Sequence, residues 1–283
     1  MNIVNPSFEI LNQPAGLDGI YKMIEIAGRT CYKSHDKITA DSARGFVDRM
    51  IESEHGAMLE HGTVYLHIKY TSPLNDPHYI ESSNDSHKYE ENKYSIAKRI
   101  LVNGFEHNVY ITTNLRVLVE NGWMDDLKYL CEPTEYHEKR YTVRFISDIH
   151  FYKDTTRHRV FSWAIESTRL CNYIKEKFGS SVSFLTPIWL KDDEKDEFEN
   201  DLKTIESIYF KWINKGWQPQ QAAYFLIQGT KAEIVMTGFA SDYIHFFDLR
   251  SETAKTGKAH PTIIELVEPL KQEFIKRHYI DYV

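Results

Sequence analysis

The sequence has few of the features that mark several large classes of protein. It contains three cysteines, an odd number at wide spacing, which fits neither a disulfide framework nor a zinc site. No apolar run approaches the length needed to cross a bilayer, and the first ten residues lack a basic stretch followed by an apolar one. We therefore expect a cytoplasmic protein with no membrane partner and with reduced, mostly buried thiols.

Basic charge is also scarce. Asp and Glu number 41 against 34 Lys and Arg, a formal net charge of -7, so binding to nucleic acid through bulk attraction is not expected. The patterns GxGxxG, GxxxxGK[ST] and HExxH are all absent. We expect no metal site, and any nucleotide must be bound by a local basic pocket rather than by a Rossmann unit or a P-loop.

What the chain does contain is enough apolar material for a large core. At 283 residues, 42% of them hydrophobic, it can bury one large core or two closely joined modest ones. Residue periodicity indicates both helices and strands. The predicted helices include Leu17–Ala27, Ala43–Ile51, a segment after Asn114, Phe198–Trp212 ended by Gly216, a short one from Pro219, Tyr243–Arg250 capped by Ser241 or Asp242, and one from Pro261. The predicted strands are Val64–Tyr70, Val109–Thr112, Thr142–Asp148 and Glu233–Ala240.

Strands interleaved with long helices indicate an α+β fold with a mixed sheet. No internal repeat or low-complexity linker divides the sequence. We predict a single domain over residues 1–283, in which residues 71–141 elaborate the core.

The segment from Arg157 to Gly179 carries the candidate chemistry. Its pattern is compatible with one continuous helix that Gly179 ends. Arg157, His158 and Arg159 would then crowd at the helix N-terminus, where the dipole is already positive, and a bound phosphate would reverse that unfavourable sign. One polar face of this helix would carry Arg159, Ser162, Glu166 and Arg169. The pattern predicts an anionic nucleotide pocket, and the alternative is that the charges pair with one another.

The same segment resembles a known family. Arg-His-Arg, seven residues and a serine is the pattern of the flavin-dependent thymidylate synthases, and it is matched at Arg157, His158, Arg159 and Ser167. Further stretches similar to this family follow in the same order: GRTCYKS at 28–34, LEH at 59–61, ESTR at 166–169 and HFFDLR at 245–250. The resemblance covers most of the chain.

The resemblance implies the fold and the reaction of that family. It implies conversion of dUMP to dTMP, with 5,10-methylenetetrahydrofolate as carbon donor and with FAD, reduced by NADPH, as the hydride source. It also implies a homotetramer whose active sites lie between subunits. No cysteine nucleophile is required, which agrees with three cysteines that lie in no activating motif.

By matched position the resemblance also assigns site residues. FAD would contact His55, Arg157, His158, Arg159 and His245. The substrate dUMP would contact Arg157, Glu166, Ser167, Thr168, Arg169 and Arg250. Arg250 would be the catalytic group, because a guanidinium stays protonated while it stabilises negative charge on the pyrimidine ring. The alternatives are a buried hydroxyl bonded to the preceding turn for Ser167, and a structural role for His55.

Several positions depart from the family pattern. Ile165 stands in place of a polar residue, Leu170 in place of tyrosine, Ala223 in place of an arginine that helps to bind dUMP, and Ile244 where arginine is frequent. These departures leave a second hypothesis open, a non-catalytic or altered-substrate relative that keeps the fold and binds flavin or nucleotide. Lys231 is a candidate to replace the missing cation.

Overall fold

The computed structural model describes residues 1–71, 86–167, 181–254 and 257–282. Its strands, in chain order, are β1 (Asn2–Val4), β2 (Ser7–Leu11), β3 (Thr63–Thr71), β4 (Ile96–Val102), β5 (Glu106–Asn114), β6 (Arg140–Asp148), β7 (Ser162–Ile165), β8 (Ser183–Leu185) and β9 (Lys231–Phe239). Its helices are α1 (Gly16–Tyr32), α2 (Ser42–Glu52), α3 (Gly56–Leu59), α4 (His87–Glu90), α5 (Leu115–Asn121), α6 (Ile149–Thr155), α7 (Lys195–Asn214), α8 (Pro219–Ala222), α9 (Ala240–Arg250) and α10 (Pro261–Lys276). The predicted α+β class is confirmed.

The chain divides into two compact units. The first unit consists of Met1–Leu11, Gly28–Asp36 and Thr142–Val283, and the second consists of Asn12–Ala27 and Lys37–Tyr141. The described part of residues 71–141 therefore belongs to the second unit. The single-domain prediction, and the prediction that residues 71–141 elaborate the core, stay predictions.

The first unit is built on a four-stranded sheet in the order β2-β6-β9-β7. Strand β2 pairs with β6, and β7 with β9, both antiparallel, while β1 and β8 form a separate parallel pair. Strand β9 is buried along most of its length, as expected of a strand inside a sheet. An aromatic cluster packs within this unit, with Tyr243 and Phe247 of α9 close to Phe274 of α10.

The second unit contains the three-stranded antiparallel sheet β3-β5-β4. Strand β3 alternates as the sequence predicted, with Val64, Leu66 and Ile68 buried. These residues share a core with Phe46 and Val47 of α2. The apolar stripe of one helix thus covers one face of one sheet, which is how both elements remove apolar surface from water.

Most predicted elements are present within five residues of their expected bounds. The helices at α1, α2, α5, α7, α8 and α10 and the strands β3, β5, β6 and β9 are confirmed. Gly216 follows α7 with a φ of 93°, a backbone conformation that suits a helix stop. Helix α9 begins at Ala240, so Ser241 and Asp242 lie inside its first turn instead of before it, and the Asp242 carboxylate accepts a hydrogen bond from Phe239 N at 3.2 Å.

The helix predicted from Arg157 to Gly179 is wrong for its described part. Residues 156–160 form turns, and Ser162–Ile165 form β7, which pairs with Ile234–Thr237 of β9. With a strand period of two, Ser162, Ala164 and Glu166 point to one buried side. Ser162 and Glu166 therefore share a side without being on a helix, and Val160, just before the strand, is 62% exposed. Residues 168–180 lie outside the described residues.

The local sequence pattern predicted a helix because the strand that pairs with this segment, β9, is distant in the chain. A Cβ atom at Gly238 would lie only 2.3 Å from the Phe161 ring, so the glycine leaves the room in which Phe161 is buried just before β7. A window of local sequence does not contain that contact.

No helix of the described ranges is long and apolar enough to cross a membrane.

Candidate active site

The backbone around His158 is held by three hydrogen bonds. Its N donates to Thr155 O, at the end of α6, at 3.0 Å, and its O accepts from Phe161 N at 3.3 Å. The indole Nε1 of Trp163 donates to the same carbonyl at 3.3 Å. These bonds fix the backbone of the turn between α6 and β7 at both ends. The position from which the His158 side chain extends is therefore fixed as well.

Aromatic packing fixes the same turn from the side. The Phe161 ring lies 4.9 Å from the Tyr243 ring and 5.6 Å from the Phe246 ring, both on α9. Phe246 also contacts the His158 ring edge to face, at 5.1 Å. Since edge-to-face pairs at this spacing are favourable, α9 and the turn hold each other in place.

Arg250, the last residue of α9, is bound to this turn. Its Nε donates to His158 Nε2 at 3.1 Å, and its Nη2 donates to Asp154 O at 3.1 Å. A guanidinium has five N-H groups, and these two bonds orient its plane while leaving others for a further partner. We name Arg250, His158 and Asp154 the arginine–histidine cluster.

His158 must be neutral in this arrangement. An arginine only donates, so Nε2 of His158 accepts and the proton of the neutral ring lies on Nδ1. Burial, the Arg250 charge and His245 together lower the pKa of His158 to about 4. At neutral pH the side chain therefore acts as an acceptor that positions Arg250 without repelling it.

Two more guanidiniums flank the cluster at the surface. The Arg157 side chain is 73% exposed, with one nitrogen 3.7 Å from Asp154 Oδ1, and Arg159 is also exposed. Of these guanidiniums, Arg157 lies near the Asp154 carboxylate and Arg250 bonds the Asp154 carbonyl, on a chain of net charge -7. Because no helix begins here, the expected dipole argument for an anion does not apply, and the attraction rests on the guanidiniums themselves.

Glu166 lies in a second group of charges, at the end of β7. Its buried carboxylate accepts from Lys231 Nζ at 2.6 Å and from Glu233 N at 3.1 Å, and Lys33 Nζ lies 3.7 Å away. Lys231 Nζ is also 3.6 Å from Glu233 Oε2. We name Glu166, Lys231, Glu233 and Lys33 the carboxylate–lysine network.

The carboxylates of this network are paired with basic side chains of the protein itself. Glu233 also lies 3.8 Å from Arg144 and 3.7 Å from His35, and Arg144 is paired with Glu9. Lys231, the candidate substitute for the cation missing at Ala223, is paired with a buried carboxylate. Ala223 itself is half-buried at the start of a short 3-10 turn, Ala223–Phe225.

The remaining predicted residues divide by location. Ser167 N donates to Cys31 O at 3.1 Å, next to the carboxylate–lysine network. His245 is exposed, with its ring centroid 6.1 Å from that of His158. His55 is exposed and precedes α3 in the second unit. Thr168 and Arg169 lie outside the described residues, as do Leu170 and Cys171. Burial raises the pKa of the Cys31 and Cys131 thiols.

The sequence reasoning missed two groups that the structure brings together. Asp154, three residues before Arg157, supplies a carbonyl to Arg250 and a carboxylate to Arg157. Glu233 supplies a backbone donor and a second carboxylate to the carboxylate–lysine network. The spacing of Asp154 and Arg157 is a usable signal on a helix, but the Glu233 contact depends on strand pairing that no local pattern contains.

The geometry defines an α+β protein with a local excess of guanidinium groups around a neutral histidine. The family model described as "Thymidylate synthase complementing protein" matches residues 133–278, slightly more than half of the chain. The chain belongs to this family, and membership supports a thymidylate-synthase-like function. The match contains both the arginine–histidine cluster and most of the carboxylate–lysine network.

Solved structures were also compared. The UMP/dUMP methylase PolB from Streptomyces cacaoi bound with 5-Br dUMP is 14% identical, with coverage of 98% of this chain and 93% of that chain and a TM-score of 0.44. The same methylase bound with 5-Br UMP is also 14% identical, with coverage of 98% and 92% and a TM-score of 0.45. A likeness at these scores does not define the fold. No curated protein matches the sequence.

Proposed function

We propose that this protein converts dUMP to dTMP, with 5,10-methylenetetrahydrofolate as carbon donor and with FAD and NADPH supplying the hydride. The family match over residues 133–278 carries this proposal. The arginine–histidine cluster supports it, because it orients a permanent cation where a pyrimidine could be polarised.

Arg250 is the proposed catalytic residue. Its remaining N-H groups would bond a uracil carbonyl oxygen and stabilise the negative charge that gathers there as C5 becomes nucleophilic. The guanidinium stays charged throughout, so it contributes charge without exchanging a proton. His158 is the positioning residue, since its neutral ring accepts from Arg250 Nε and fixes the plane of the fork.

The exposed guanidiniums suit the phosphates of the nucleotides. Arg157 and Arg159 would each provide charge-assisted hydrogen bonds to a phosphate of dUMP or of FAD. His245 and His55 are proposed flavin contacts, and Ser167, Thr168 and Arg169 are proposed dUMP contacts. FAD, when bound, would carry a hydride from NADPH, and the protein would provide binding and charge. We further propose a homotetramer with sites between subunits.

A second candidate function is favoured by one observation. The ammonium of Lys231 is already paired with Glu166 at 2.6 Å, so it does not replace the arginine missing at Ala223. A relative that keeps the fold and nucleotide binding but takes another substrate, or has no turnover, would need no such replacement. Ile165 and Ile244, apolar where the family is often polar, agree with this candidate.

The main test follows the C5 hydrogen of dUMP. Purified protein is examined for flavin by its absorption spectrum, and tritium release from C5-labelled dUMP is measured with methylenetetrahydrofolate and NADPH. We expect bound FAD and tritium release. The variant Arg250→Lys should release tritium ~100- to 1,000-fold more slowly, because one fixed donor to a developing oxyanion has about that effect.

The matched control is Arg277→Lys, an exposed arginine after α10 that pairs with Glu273. It should release tritium at the rate of the unmodified protein. Flavin and dUMP binding without tritium release would support the second candidate instead. Binding of neither FAD nor dUMP would contradict both.

A further inference from the structure

A cavity of about 500 Å³ lies in the first unit and shares no residue with the arginine–histidine cluster. Its floor is formed where β6 meets α6, by Ser147, Asp148 and His150, and its far side by His260 and Glu265 around the start of α10. Apolar side chains close the remaining walls, among them Leu185, Pro187, Trp189, Phe198 and Ile227. Its size suits an organic molecule with one or two rings.

Two polar atoms in the lining have no hydrogen-bond partner among the described residues. They are the hydroxyl oxygen of Ser147, a residue that is 1% exposed, and Nε2 of His150. Buried polar groups are normally bonded, and leaving one unpaired carries a free-energy cost. Both atoms are buried in the wall of this cavity, and no described residue uses their hydrogen-bonding capacity.

The two histidines take opposite tautomers, because His150 donates through Nδ1 whereas His260 accepts through Nδ1 and therefore carries its proton on Nε2. His150 Nδ1 lies 3.1 Å from the carbonyl oxygen of the Gln228 side chain, so Nδ1 donates and Nε2 carries the lone pair. His260 Nδ1 accepts from Thr262 N at the start of α10. The two rings are 3.9 Å apart at their centroids, and the Trp189 ring stands edge-on to His260 at 5.5 Å. A flat molecule would find aromatic faces here.

The charged groups of the lining are acidic. Asp148 accepts a hydrogen bond from Phe151 N at 2.8 Å, and Glu265 is half-buried on α10. No Lys or Arg of the described ranges lines the cavity. Burial raises the pKa of both carboxyl groups, and the Asp148 charge raises the pKa of Glu265 further, while the Phe151 N-H group and the His150 and His260 side chains offset part of the rise at Asp148.

We propose that this cavity binds a planar organic ligand with an amidinium or aromatic amine group. Its ring would lie beside Trp189 and His260, and its N-H groups would donate to Asp148 and Glu265. The two carboxyl groups select a positively charged ligand that donates hydrogen bonds, and the aromatic walls select a flat body. The site is independent of the proposed dUMP chemistry.

Three probes of one shape test the charge and donor requirements. Titration calorimetry compares 2-naphthamidine, 2-naphthamide and 2-naphthoate on the unmodified protein. We expect the amidine to bind ~10-fold or more tightly than the amide, because charge-assisted hydrogen bonds exceed neutral ones by about that margin. The acid should not bind. Equal binding of all three, tightest binding of the acid, or binding of none would overturn the proposal.

Variants locate the binding. Glu265→Gln and Asp148→Asn should each weaken amidine binding ~10-fold, and asparagine preserves the α6 cap because it also serves well at that position. Glu197→Gln removes an exposed carboxylate of α7 outside the cavity and should change nothing. Arg250→Lys should also leave amidine binding unchanged, which separates this site from the proposed active site. Undiminished binding by both Glu265→Gln and Asp148→Asn would refute the assignment.

Discussion

The two ends of the signature segment hold charge in opposite ways. At its start, Arg157 and Arg159 are exposed and Arg250 is oriented by a neutral histidine, so cations remain available. At its end, the Glu166 carboxylate is buried and matched by Lys231 at 2.6 Å. The two ends of one sequence motif therefore differ. The arginines at its start are accessible to a ligand, whereas the Glu166 carboxylate at its end is paired within the protein.

This difference bears on what each residue does. A buried ion pair is sensitive to the loss of one partner, because the other charge stays behind without compensation. An exposed arginine contributes little to stability and can contribute much to the binding of an anion. Glu166 should thus be tested first by protein stability, and Arg157 by ligand affinity.

The largest expected effect is on stability. Glu166→Gln should lower the free energy of unfolding by about 3 to 5 kcal/mol, because among the described residues Lys231 would keep Glu233, at 3.6 Å, as its charged partner. The double variant Glu166→Gln, Lys231→Met should recover part of this loss, because both charges are then gone. Urea denaturation measures all three proteins.

The control for this prediction is the exposed pair Glu273 and Arg277. Glu273→Gln should leave the urea midpoint unchanged, because exposed pairs contribute little. If Glu166→Gln behaves like this control, the carboxylate–lysine network is not a closed ion pair, and Glu166 becomes available as a ligand group.

The second effect is on the pH dependence of stability. His158 has a pKa of about 4 in the folded protein against an ordinary value of 6.5, so between these values the unfolded chain binds more protons and stability rises with pH. As the pH falls from 6.5 through about 4, this contribution is lost, and it amounts to roughly 3 kcal/mol. Urea unfolding over this pH window measures it.

His158→Gln should remove that component of the pH dependence. His278→Asn is the matched control, because His278 is exposed and its positive φ of 55° suits asparagine. This control should keep the slope of the unmodified protein. An unchanged slope in His158→Gln would mean that the histidine is not held neutral by burial and by Arg250.

The smallest expected effect separates binding from folding at Arg157. Arg157→Ala should leave the urea midpoint unchanged but weaken dUMP binding ~10-fold, the cost of one charge-assisted contact. Calorimetry with dUMP measures the affinity. Lys153→Ala, an exposed cation on α6, should weaken binding much less, and equal losses in the two variants would indicate general attraction instead of a specific contact.

The structure also shows why some elements were predictable. Helix α7 and strand β3 carry apolar residues at their own periods, and each covers a core on one side. For these elements the local pattern and the tertiary packing agree. At β7 they disagree, because Ser162–Ile165 has a pattern that a helix could also use.

The sequence by itself determined the α+β class, the family signature and the candidate residues, because periodicity and motif identity are local properties. Tertiary structure alone decided that Phe161 packs beside Gly238, that Glu166 closes on Lys231, and that Arg250 reaches His158 across 92 residues. Such contacts join distant parts of the chain, so strand pairing and packing select them. Strand pairing and packing therefore also decide which charged groups of the site stay accessible to a ligand.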